Sequence, residues 1–138
     1  MSILLLEDDE VEVRIVRRSF EKAGVEHAMV LARDGVEALE VLRGENGREK
    51  IEAPFLILVD INMPRMNGHE FIEELRADPN LGSSVVFVLT TSEHVMDKDR
   101  AYRNHVAGYI VKSTIGDGMS GVVDLLGKFW QTVEMPQN

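Results

Sequence analysis

Five side chains in this sequence could assemble one reaction centre: the neighbouring carboxylates Asp8 and Asp9, the carboxylate Asp60, the hydroxyl of Thr90 and the ammonium group of Lys112. Each follows or closes a short apolar run. Asp60 is the sharpest case, because it ends the buried-looking stretch FLILV within FLILVDINMP, residues 55–64. Desolvating an ionised carboxylate costs several kcal/mol unless something pairs with it. Three such acids at one rim repel one another unless a hard cation joins them. Mg²⁺ suits that role, since it prefers oxygen ligands, tolerates few protein carboxylates and keeps waters or a phosphoryl oxygen in its shell. One carboxylate nucleophile flanked by a divalent ion, an ammonium group and a hydroxyl is what phosphoryl transfer onto aspartate requires. Charge then builds on three equatorial oxygens, and the metal, Lys112 and Thr90 can each cover one.

The elements that would bring these groups together are legible as alternation. Apolar runs bounded by turn residues occur at 3–6, 27–32, 55–59, 85–89 and 108–111, and such runs suit strands buried on both faces. Between them lie helical spacings: Val13, Val16, Phe20 and Ala23, then Val36, Leu39 and Leu42, then Phe71, Ile72 and Leu75. The last segment places Val122, Leu125, Leu126, Phe129 and Val133 on one expected apolar face. Asp34 with Glu37 and Asn67 with Glu70 match helix caps three residues ahead of a carboxylate, and Asp9 with Glu12 fits the same pattern. The acidic pair after the first strand is therefore readable as a cap as well as a metal site.

Five β-α units predict an α/β fold. Its expected form is a doubly wound, five-stranded parallel sheet of order 2-1-3-4-5, a flavodoxin-like three-layer sandwich. In that order the first and third strands are neighbours, and ligands sit outside the carboxyl ends of the strands. The residues found there are Glu7, Asp8 and Asp9, then Asp60 and Asn62, then Thr90, Thr91 and Ser92, then Lys112. Each set alone has a plainer reading as a cap, a turn or a solvated end. Their coincidence on one side of the sheet carries the chemical reading.

Length and composition set the frame. The 138 residues suit one domain spanning 1–138, which would bury roughly two thirds of the surface its unfolded chain exposes. A net charge of −9 argues against gripping nucleic-acid phosphates. Without cysteine there is neither a disulfide framework nor a thiolate metal site, and a cytoplasmic location is the economical expectation. The opening MSILLLEDDE is too short in apolar residues for a signal peptide or a membrane span. His27, His69, His94 and His105 share no ligand spacing and read as structural or solvent-facing. No GxGxxG or GxxxxGK cradle is present. The irregular stretch 44–54 reads as an exposed insertion or an extended helix end, and 113–121 as a flexible approach to the last helix.

Four ordered motifs, LLEDD at 5–9, VDINMP at 59–64 with Gly68, VLTTS at 88–92 and GYIVK at 108–112, resemble the receiver domain of two-component response regulators over nearly the whole chain. The resemblance implies a phosphoacceptor signalling protein rather than an enzyme, with Asp60 taking a phosphoryl group from a sensor histidine kinase. It also implies Mg²⁺ bound directly by Asp9, Asp60 and the backbone carbonyl of Asn62, with Asp8 reaching the ion through water. Thr90 and Lys112 match the pair that grips the phosphoryl oxygens, and Tyr109 matches an aromatic residue whose pose accompanies activation.

The segment before the third strand, AYRNHVAGY at 101–109 and FWQTVEMP at 129–136 are similar to stand-alone regulators paired with phytochrome kinases. That similarity implies a stand-alone receiver and a homodimer through helix four, strand five and helix five, and a downstream protein effector is expected beside it. One departure stands out: Ser113 follows Lys112 where receivers usually carry proline. A cis bond before a non-proline residue costs about 2.5–4 kcal/mol, so a trans Lys112–Ser113 peptide is expected. Two alternatives remain at this stage. One is a receiver-shaped binding module that takes no phosphate. The other is a haloacid-dehalogenase-type phosphatase, whose nucleophile would close the first strand with an Asp two residues on, whereas here it closes the third and Asn62 follows.

Overall fold

Strand β1 (Ser2–Leu6) lies between β2 (Ala28–Ala32) and β3 (Phe55–Val59), and β4 (Val85–Thr90) and β5 (Gly108–Val111) continue the sheet past β3. All pairs are parallel and the order is 2-1-3-4-5, as the alternation predicts. The crossovers are α1 (Glu10–Lys22), α2 (Gly35–Arg43), α3 (Gly68–Ala77) and α4 (Val95–Arg103), and α5 (Ser120–Thr132) follows β5. This computed structural model describes residues 2–24, 28–63, 65–112 and 119–137. His27, expected to open the second strand, lies outside them.

Alternation along each strand sorts the core into two halves. Leu4, Leu6, Ile57, Val59, Val86 and Val88 face α2, α3 and α4, where Leu42, Phe71, Ile72, Leu75 and Ala101 meet them. Ile3, Leu5, Leu56, Leu58, Phe87 and Leu89 face α1 and α5, against Val13, Val16, Phe20, Val122, Val123 and Leu126. Strands β1 and β3 are buried along their whole length, which is why they read as unbroken apolar runs. Among the described residues no helix is long and apolar enough to cross a membrane.

Helix starts follow the predicted chemistry. Asp34 accepts from the Glu37 amide at 2.9 Å, and Asn67 and Glu70 form a reciprocal capping box before α3. Gly44 closes α2 in the left-handed region at φ 69°, where a side chain would be strained. The stretch after it is an exposed insertion as far as Lys50, then buries Ile51, whose amide donates to the Val41 carbonyl.

The face of α5 differs from expectation. Val122, Val123 and Leu126 are buried while Leu125 is 48% and Val133 40% exposed. The buried stripe therefore runs through Val123 toward Trp130 and not through Leu125, because the helix is rolled to seat Val122 and Val123 together on the sheet.

Two devices fix the loops around the strand ends. At the amino-terminal edge the Arg76 guanidinium donates to the carbonyls of Gly82, Ser84, Asn104 and His105 at 2.7–2.9 Å, tying together the connections into β4 and β5. At the opposite edge the loop after β3 folds back so tightly that the Gly68 amide donates to Ile61 at 2.9 Å. A Cβ on Gly68 would stand 2.6 Å from the Asp60 carbonyl oxygen and 2.7 Å from the Ile61 Cα. Those neighbours are backbone and cannot rotate away. We therefore expect Gly68→Ala to destabilise the fold by about 1–3 kcal/mol, the usual cost of overpacking. Urea denaturation checks this, and an unchanged midpoint would mean the loop has slack that the geometry denies it.

Candidate functional site

The register of β1 on β3 pairs Leu6 with Val59, so the next residues, Glu7 and Asp60, emerge side by side at the sheet's carboxyl edge. The ladder continues there, with the Asp60 amide donating to the Leu6 carbonyl at 3.0 Å and the Glu7 amide to Ala32 at 3.0 Å. By the same alternation Glu7, Asp60 and Lys112 point to the α1/α5 side. Lys112 Nζ lies 3.1 Å from Glu7 Oε2, 3.3 Å from Glu12 Oε2 on α1 and 3.5 Å from Asp60 Oδ2. The Lys112 and Asp60 side chains are largely enclosed, at 11% and 13% exposure. The remaining Asp60 oxygen, Oδ1, accepts from the Asn62 amide at 3.2 Å.

One ammonium group among three carboxylates cannot neutralise them all. Burial, the hydrogen bond to Asp60 and the Asp60 charge push the Glu7 carboxyl up to about 7, against the pull of Lys112. For Lys112 burial alone would lower the pKa, but the charges of Asp60, Glu7 and Glu12 outweigh it and hold the ammonium form. The cluster is rich in hard oxygen donors and short of positive charge, which fits a divalent cation. Among the described residues no three Asp, Glu or His side chains already converge as a ready-made metal cage, and Lys112 lies among Glu7, Glu12 and Asp60.

The expected residues take different places. Asp60 and Lys112 meet as predicted. Asp9 is exposed and its Oδ1 caps α1, accepting from Val11 at 2.9 Å and Glu12 at 3.4 Å. Asp8 is exposed beside it, and Asn62 is exposed below Asp60. Glu7 is the first-strand acid that touches Asp60. No local sequence signal singles it out among three consecutive acids, since the choice depends on the register of β1 on β3.

Thr90 and Tyr109 share the other face of the sheet. Thr90 is fully buried and its Oγ1 accepts from the Ser92 amide at 3.3 Å. Tyr109, half-buried against the α3/α4 core, donates its hydroxyl to the Ser92 carbonyl at 3.0 Å, and its own amide donates to the Tyr102 hydroxyl. Burial raises the pKa of its phenol. The expected trans peptide between Lys112 and Ser113 lies outside the described residues.

The raised Glu7 pKa has a measurable sign. Glu7 holds its proton more tightly folded than unfolded, so its contribution to stability is full below its ordinary value of 4.5 and is lost as pH rises through about 7. Glu7→Gln, which has no proton to lose, should gain in melting temperature relative to the parent chain as pH climbs across that window. Melts in metal-free buffer test it, and a difference that stays flat with pH would remove the perturbed carboxyl.

The family model for the response regulator receiver domain matches residues 3–123. The response regulator Rcp1 of Synechocystis is 33% identical over 135 residues, 97% of this chain and 92% of that protein. The phosphorylated cyanobacterial phytochrome response regulator RcpA superposes with a TM-score of 0.87 at 34% identity, covering 98% of this chain and 97% of that one. The Mn²⁺-bound form of Rcp1 superposes with a TM-score of 0.82 at 31% identity, covering 98% of each. With a family model matched over most of its length and relatives above 30% identity covered nearly end to end, the chain belongs to the response regulator receiver domain family.

Proposed function

We propose that this chain is a stand-alone response regulator whose Asp60 accepts a phosphoryl group from a phosphohistidine of a sensor histidine kinase. The carrying observation is the enclosed Asp60 carboxylate, held at the tip of a fully buried strand 3.5 Å from the Lys112 ammonium. An Asp60 oxygen attacks phosphorus, the phosphorus–nitrogen bond to the donor imidazole breaks, and an acyl phosphate forms while the imidazole leaves with the bonding pair. Strand β3 holds the oxygen in line. Lys112 turns from the acids toward the new phosphoryl oxygens, and Thr90, whose hydroxyl proton is not spent on Ser92, donates to another.

The required divalent cation, Mg²⁺ in our reading, would be held by Asp60, Asp8 and the Asn62 carbonyl, with Glu7 adding negative charge nearby, and would offset charge on the acceptor and the incoming group. We assign Asp9 to the helix cap, since its carboxylate is already engaged there.

Phosphorylation adds nearly two negative charges, draws Thr90 and Lys112 inward, and moves the loop after β4 and with it Tyr109. Similarity to regulators named for phytochromes supports a phytochrome kinase as donor and a cytoplasmic location. Exposed Val95, Met96 and Tyr102 on α4 and Leu125 on α5 support a protein effector or a second copy meeting the α4–β5–α5 face.

Asp60→Asn should abolish Mg²⁺-dependent labelling by phosphorylated kinase, and labelling at unchanged stoichiometry would exclude Asp60 as acceptor. Asp8→Ala should weaken Mg²⁺ by more than the roughly 10–100-fold that outer partners of a metal site cost. Asp9→Ala should leave Mg²⁺ affinity close to that of the parent while lowering stability by about 0.5–2 kcal/mol through the lost cap. Metal titration beside urea denaturation separates the two, and the reverse pattern would return the metal to Asp9.

A further inference from the structure

Ser92, two residues beyond the end of β4, is gripped at three of its atoms. Its amide donates to Thr90 Oγ1 at 3.3 Å, its carbonyl accepts from the Tyr109 hydroxyl at 3.0 Å, and its own hydroxyl donates to Asp97 Oδ2. Asp97, in the first turn of α4, uses its second oxygen to meet His69 Nε2 on α3 at 2.9 Å. His69 is 3% exposed, and its Nδ1 is buried with no hydrogen-bond partner among the described residues, so the ring's polar tie is to Asp97. The Ser92 bond, then the His69 bond, hold the Asp97 carboxyl below the usual range.

We propose that Ser92, Asp97 and His69 form a latch that sets the loop after β4, and through it the poses of Thr90 and Tyr109, so that a buried imidazole on α3 tunes how readily Asp60 takes a phosphoryl group. This rests on the acceptor reading given above. A serine hydroxyl in an exposed loop samples several rotamers at small cost. Here it is fixed by a carboxylate, which is fixed in turn by a ring that cannot rotate without repacking α3 against the core. The consequence reaches both switch residues. The Ser92 amide orients the Thr90 oxygen and leaves its proton to donate, and the Ser92 carbonyl accepts the hydrogen bond of the Tyr109 hydroxyl. Asp97 and His69 touch neither Asp60 nor Lys112 and act as positioning residues.

A pair that merely glued α3 to α4 would affect stability and nothing else. The test therefore uses Asp97→Asn, His69→Leu, His69→Gln and the double variant Asp97→Asn/His69→Leu in the full chain. Mg²⁺-dependent uptake of beryllofluoride, a phosphoryl mimic, is followed by fluorine NMR. The two tyrosines are carbon-13 labelled and their signals assigned through Tyr102→Phe. We expect Asp97→Asn and His69→Leu to weaken uptake roughly 3- to 30-fold, the range in which residues acting through others modulate a site. The Tyr109 ring should move to solvent-exposed shifts in both, His69→Gln should restore uptake because it keeps a donor toward Asp97, and the double variant should be no worse than the poorer single.

Unchanged Tyr109 signals in both single variants would overturn the latch, as would singles whose effects on uptake simply multiply in the double. Absence of uptake by the parent chain would defeat the acceptor reading instead, and the Tyr109 signals would still decide the latch.

Discussion

Everything at the carboxyl edge of the sheet depends on one cation serving three anions. Lys112 reaches Glu7, Glu12 and Asp60 within 3.5 Å, and it does so from a position almost closed to water. In such a place each unpaired carboxylate is costly, and one ammonium group cannot satisfy three of them. The deficit is expressed in the Glu7 carboxyl, which burial and the neighbouring Asp60 push to about 7. A site in that condition is disposed toward any species that brings positive charge. It also resists losing Lys112, since the acids would then face one another bare. The arrangement follows from register: with Leu6 paired to Val59, the two residues that come next must stand together whatever their charges.

Strand alternation then divides the site between the two faces of the sheet. Glu7, Asp60 and Lys112 project to the side of α1 and α5, Thr90 and Tyr109 to the side of α3 and α4. The charge of Asp60 is felt at Tyr109, where it adds to burial in raising the phenol pKa, but a displacement finds little room to pass through the sheet, where Leu58, Val59, Val88 and Leu89 are packed at close to zero exposure. It has to travel over the strand tips, and the backbone available there is the loop that follows Thr90. Ser92 lies in that loop and is bonded to both switch residues, which makes its restraint, or release, the step that couples the two faces.

Much of this was legible in the sequence because the signals were local. Unbroken apolar runs mark strands covered on both faces, and the third and fifth were placed without error at 55–59 and 108–111. Caps such as Asn67 with Glu70 are three-residue patterns with a fixed hydrogen-bond geometry. What failed needed relations between distant segments. Leu125 was assigned to the buried face of α5 because helical period alone leaves the roll of the helix free by tens of degrees. Asp9 fits both a metal ligand and a cap by sequence, and the structure shows the cap; that Glu7 is the acid against Asp60 depends on the register of β1 on β3. His69 read as a structural histidine, and its burial agrees. Its partner stands 28 positions away on another helix, and no periodicity joins them.

The same contacts indicate which helix is free to respond. α4 buries only Ala101 among its described residues, and His94 at its start gives it no side-chain cap. Its first turn exposes Val95 and Met96. Its described ties to α3 are polar: Asp97 to His69, and Arg100 donating twice to Glu73 at 2.8 Å. α3, by contrast, buries Phe71, Ile72 and Leu75 completely. Polar ties at a partly exposed seam are individually worth little and can be exchanged for water, whereas buried apolar contacts cannot. A displacement originating at the tip of β4 thus meets least resistance in α4. The buried tie on that path is the one between Asp97 and His69, so the stiffness of the response is set where an imidazole is sealed under the helix.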